Sequence, residues 1–147
     1  ERDQHAMHVL WQMIGREQDA DVAPLTQVVA SERLVAVLGL TGMAMVVPGP
    51  NRTVDALWQT PTESDVIDQL TTSQCAQISD AIRRETLCFV EHAGDSLMVV
   101  PVYRHGGSPQ ALVVSGAQDD ADVQRMVMMF ADLVMRFCVL ERDAEQV

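Results

Sequence analysis

Residues 96–116 read SLMVVPVYRHGGSPQALVVSG, and the reading of this stretch decides the fold. Two valine-rich apolar runs, 96–103 and 110–116, flank a turn that carries Gly106 and Gly107. That is the pattern of a β-hairpin. A period of two sets Ser96, Met98, Val100 and Val102 on one face of the first run, with Leu97, Val99 and Tyr103 on the other. Immediately upstream, 86–91 is a third extended run, joined to the second by the turn EHAGD. Three strands in succession with short connections form an antiparallel meander.

A second hairpin lies nearer the N-terminus, in LTGMAMVVPGPNRTVDALWQT, residues 40–60. Met43 to Val47 is an apolar strand bounded by glycine and proline, and Thr53 to Gln59 is its partner. Pro48-Gly49-Pro50-Asn51 supplies the turn, because proline fixes φ while Gly49 and Asn51 tolerate φ > 0. Strict alternation puts Val54, Ala56 and Trp58 on one face. Helical spacing marks the remaining segments. Met7, Leu10, Trp11 and Ile14 give a helix over 3–17, and a second runs from Pro24 to Leu38, closed by Gly39 to Gly42. Thr62 as N-cap, with Asp65 in an acidic first turn, predicts a short helix over 63–70. Cys75, Ile78 and Ile82 form the stripe of another over 74–84. After Asp119, Asp120 and Asp122, apolar residues recur at three, four and seven from Val123 to Leu140, a long closing helix. The predicted order is two helices, two strands, two helices, three strands and a long helix. That is an α+β domain built on one central sheet.

Length and composition narrow the function. The chain has 147 residues, 48% of them hydrophobic, enough for one domain with one core. The net charge is −11, and all ten basic residues are arginine. An acidic surface of this kind repels phosphates, which argues against nucleic-acid binding. The run MVMMFADLVMRFCVL is interrupted by Asp132 and Arg136, so no membrane-spanning helix and no membrane contact are expected of this segment. The chain opens on Glu1 without a secretory signal, which predicts a single domain cut from a longer cytoplasmic protein. Cys75, Cys88 and Cys138 are far apart with no Cys-x-x-Cys pair, and no metal site is expected.

Three passages carry a resemblance to the GAF domain family. VLGLTGMAMVV (37–47) resembles the family's helix ending in Thr-Gly before the first strand, 96–116 resembles its closing hairpin, and the helix from Asp119 resembles its terminal helix. Gln110-Ala111 stands where the family commonly has glycine. The resemblance implies a GAF-like, PAS-related central antiparallel sheet. Its terminal helices would pack on one face, and a small molecule could be enclosed on the other. It also implies a place in a signalling protein, beside an output domain of the same chain. Several liganded subtypes do not fit. The histidine that often follows a bilin-attaching cysteine is absent, and a chain without lysine cannot complete the cyclic-nucleotide set. The residues name no cofactor.

Chemistry is sparse. The resembled family contains a methionine sulfoxide reductase that uses cysteines near the third strand, so Cys88 and Cys75 raise a thiol-dependent reductase as an alternative. Their apolar neighbours point instead to core thiols and no catalysis. The pocket candidates are Met45, Trp58, Cys75, Ile78, Cys88, Ser96, Met98 and Val100, the strand face of the last three taken from the resemblance. The same side chains would equally fill a core, which leaves a purely structural dimerisation module as a further reading. The closing helix carries more apolar residues than one sheet face covers, so a homodimer through the terminal helices is expected. Its interface candidates are Met7, Leu10, Trp11, Ile14, Val127, Phe130, Val134 and Phe137.

Overall fold

The computed structural model describes residues 23–62, 64, 66–102, 109–117 and 120–145, with 23–29, 133 and 135–145 as backbone. The expected helix over 3–17 lies outside the described residues. The first described helix, α1 (Ala23–Leu38), ends where Gly39 takes a left-handed φ of 69°. The Leu40 amide then donates back to the Val35 carbonyl at 3.0 Å, and the Leu40 side chain is buried. This is a Schellman stop, and it turns the chain directly into the sheet.

Strands β1 (Gly42–Pro48) and β2 (Val54–Thr60) form the first hairpin. At its tip Asn51 and Arg52 both have positive φ, and the Thr53 hydroxyl donates to the Pro50 carbonyl at 2.6 Å. The helix α2 (Thr72–Arg84) leads into β3 (Cys88–His92), β4 (Asp95–Val102) and β5 (Gln110–Ser115), and α3 (Ala121–Glu145) closes the described chain. All pairings are antiparallel, in the order β2-β1-β5-β4-β3. The meander is present, and so is the α+β class with one central sheet.

Alternation along the strands divides the interior in two. Met43, Met45, Met98, Val100, Val102, Leu112 and Val114 face α1 and α3, where Leu34, Leu38, Val127 and Phe130 meet them. Ala44, Val46, Leu97, Val99, Ala111 and Val113 face α2 and the segment before it, against Ile67, Ile78 and Ile82. Both terminal helices of the described chain therefore share one side. A buried hydroxyl pair, Ser31 with Thr60 at 2.9 Å, ties α1 to β2.

Two expectations need correction. Val54, Ala56 and Trp58 do not share a face. Met45 pairs with Trp58 but the next residue, Val46, pairs with Ala56, so Leu57 is the extra residue of a β-bulge. The bulge reverses the parity: Val54 packs on the α2 side and Trp58 against the terminal-helix side. The short helix expected over 63–70 is also absent among its described residues, where 66–69 form a turn. The capping box that starts a helix here belongs to Thr71 and Gln74, which exchange bonds of 2.9 and 3.1 Å at the head of α2.

Candidate functional site

On the α2 side of the sheet, Ser64, Val66 and Ile67 of the 61–71 connection border a small pocket that is partly open to solvent. Its floor is Gly42, Ala44, Leu97 and Val113, its rim includes Gln59 and Ser115, and Ser64, Val66 and Ile67 lie above it. The floor is open because β1 alternates small and large residues: Gly42 and Ala44 face this side, while Met43 and Met45 pack in the opposite core, Met43 also bordering the pocket. Gly42 is closely held, since a Cβ there would stand 3.1 Å from the Thr60 carbonyl oxygen. Its volume is about 10 Å³, room for the centre of roughly one water molecule.

The polar atoms around the cavity hold the rim together. Gln59 Nε2 donates to the Thr62 carbonyl at 3.1 Å, and Ser115 Oγ donates to the Gly42 carbonyl at 3.4 Å. Within the cover, the Ser64 amide donates to the Pro61 carbonyl at 3.0 Å and the Leu70 amide to the Ile67 carbonyl at 3.3 Å. Beside the cavity, α2 is fixed at both ends. Gln74 Nε2 donates to the Glu91 carbonyl and Gln74 Oε1 meets His92 Nδ1 at 3.2 Å, joining the helix start to the edge strand β3. Because an amide oxygen only accepts, His92 Nδ1 carries the proton in this contact. An ion pair between Arg52 and Asp80 joins the hairpin tip to the same helix. Within α2, Ser79 Oγ is fully buried with no hydrogen-bond partner.

None of the eight pocket candidates lines this cavity, and the structure divides them. Cys75, Ile78 and Cys88 lie on its side of the sheet, packed in the α2 core. Met45, Trp58, Met98 and Val100 lie on the opposite side against the terminal helices, and alternation puts Ser96 on that side too. On β4 it is Leu97, not Met98, that borders this cavity. The residues that do line it were missed, although the small-large alternation of GMAM was a legible signal for a gap on one face.

The dimer candidates are corrected as well. Val127, Phe130 and Val134 are fully buried within this one chain, pressed against the sheet and α1, and cannot meet a partner. Met7, Leu10, Trp11, Ile14 and the Phe137 side chain lie outside the described residues. Among the described side chains of α3, the exposed large apolar residues are Met128 and Met129. Burial pushes the Cys88 thiol above its ordinary range, away from the thiolate that a nucleophile requires. Among the described residues no cluster of three metal-ligating side chains occurs, and no helix is long and apolar enough to cross a membrane.

A five-stranded antiparallel sheet in this order, with terminal helices on one side and a small pocket on the other, is a GAF-like fold. Several solved structures share it, among them three GAF domains. The GAF domain of a Coxiella burnetii phosphoenolpyruvate-protein phosphotransferase is 12% identical, with a TM-score of 0.66 over 100% of both chains. Its Acinetobacter counterpart is also 12% identical, with a TM-score of 0.63 over 96% of this chain and 95% of that one. The phycoerythrobilin-bound GAF domain of a cyanobacterial phytochrome is 11% identical, with a TM-score of 0.68 over 95% and 97%. No protein-family profile and no curated protein matches the chain in sequence.

Proposed function

We propose that this chain is a non-catalytic sensory domain of a cytoplasmic signalling protein. It takes a small molecule between the sheet and the 61–71 connection, pairs with a second copy through its terminal helices, and controls an output domain of the same polypeptide. The observation that carries this reading is the pocket over Ala44, Leu97 and Val113, bordered by the turn residues 66–69 rather than by a regular helix. Such a cover separates from the sheet more readily than a regular helix does. A ligand with an apolar body and a hydrogen-bonding edge fits the lining, the edge facing Gln59, Ser64 and Ser115. A binding site for an organic molecule is on the order of 300 Å³ or more, so binding would lift the cover. Its effect depends on binding the lifted and closed arrangements with different affinity.

Native mass spectrometry of the purified protein tests the reading. Wild type should retain a small molecule or shift its melting temperature with one, and Ala44→Val, which crowds the floor, should weaken that response, with circular dichroism as the check on folding. A wild-type protein that carries no added mass and responds to no compound in a broad metabolite set would leave the structural dimerisation module in its place.

A further inference from the structure

Helix α3 buries one stripe and leaves an ordered pattern on the other side. Val123, Met126, Val127, Phe130, Ala131 and Val134 face the protein's own core. On the outer side Met128 and Met129 are 48% and 37% exposed, with Arg125 and Asp132 also exposed. At 3.6 residues per turn these four fall within an arc of about 100°. The spacing is symmetric: Arg125 stands as far before Met128 as Asp132 stands after Met129.

That symmetry has a consequence for pairing. A two-fold axis through the midpoint of Met128 and Met129, perpendicular to the helix, brings each methionine over the other's counterpart. It also sets Arg125 against Asp132 of the partner subunit, twice per pair. In a parallel pair the same residues, one heptad apart, would set arginine on arginine and aspartate on aspartate. We propose that a second copy of this chain docks antiparallel on the outer face of α3, with Met128 and Met129 at the centre and the two Arg125–Asp132 contacts at the rim. This rests on the dimer reading above and fixes its face, polarity and register. The only ion pair at Arg125 among the described residues, to Asp122, is long at 3.7 Å and well exposed, so the guanidinium is available to a partner. Methionine suits the centre because its side chain adapts to its own image. Helical overlap would run from Ala121 to Arg136, about 24 Å, a small seam and hence a weak, concentration-dependent association.

Sedimentation equilibrium at low salt is the test, run on wild type, Arg125→Asp, Asp132→Arg and the double reversal, with circular dichroism as the check on folding. Wild type self-associates, each single reversal weakens association about tenfold because both rim contacts become repulsive, and the double reversal recovers it. A spin label on exposed Ala121 separates the polarities: antiparallel pairing holds two labels on the order of 20 Å or more apart, parallel pairing about 10 Å. A wild-type dimer unmoved by the single reversals, or labels at the short distance, overturns this interface and leaves dimerisation standing on another face. A wild type that stays monomeric at high micromolar concentration overturns the dimer reading and this interface together.

Discussion

Phe130→Ala separates a core residue from an interface residue. Phe130 is the largest fully buried side chain among the described residues, held between α3 and the sheet among Met45, Met98 and Leu112. Its loss removes a ring of roughly 100 Å³ from a site whose walls are strands paired on both sides, so little collapse is available. At about 24 cal/mol per Å³ the cavity alone costs ~2 kcal/mol, and the lost transfer free energy adds ~2 more. A total near 4 kcal/mol is a large part of the 5–15 kcal/mol typical of a domain. It should lower the melting temperature by on the order of 10 °C and the urea midpoint by ~2 M. The assay is urea unfolding at two protein concentrations a hundredfold apart. If Phe130 serves the core, the loss is the same at both concentrations. A variant as stable as wild type at the lower concentration, and weaker only at the higher, would mean that Phe130 stabilises a dimer and that the burial argument is wrong.

Gly116→Ala should cost about 3 kcal/mol by thermal melting: φ is +93°, and the new Cβ would stand 2.6 Å from the Thr41 amide nitrogen, itself tied to the Ser115 carbonyl at 2.9 Å. Ser79→Ala should stabilise the fold by about 1 kcal/mol, since it removes a buried hydroxyl without a partner and favours the helix; a loss of stability would reveal an unseen partner. Gln74→Ala should cost 1–2 kcal/mol in chemical denaturation, because it breaks the capping box and the link to β3 together. At neutral pH Cys88 should react with iodoacetamide more slowly in the native protein than in urea. As pH rises past the ordinary thiol range the unfolded chain ionises first, so stability falls there, and Cys88→Ala should flatten that fall.

Much of the fold was legible because most of its elements obey local rules. The five strands fall within a residue or two of the apolar runs, since Gly39, Gly94 and the Pro-Gly-Pro-Asn segment punctuate the chain where the backbone turns. The turn after β3 shows the reason plainly. Ala93 and Gly94 both have positive φ, the geometry of a two-residue hairpin, and the glycine announced it. Asp120 likewise caps α3, its carboxylate accepting from the Asp122 and Val123 amides, as an acidic cluster at a helix start implies. The bulge at Leu57 had no such mark. It inserts an extra residue into an edge strand without glycine or proline, and only the pairing with β1 shows it.

The candidate site was harder to read because it depends on relations between elements. Period two shows that Met98 and Leu97 point to opposite sides, but not which helix waits on each side. That is decided by the chain's path, with α1 and α3 on one side and α2 on the other. The same limit applies to α3. Its apolar surplus was visible as a sum, yet the strongest positions, Val127, Phe130 and Val134, are those the monomer itself claims. A residue that best satisfies a core pattern is the poorest candidate for an interface. What remains for a partner is the remainder of the pattern, here Met128 and Met129 framed by Arg125 and Asp132, and it becomes readable only after the core has been subtracted.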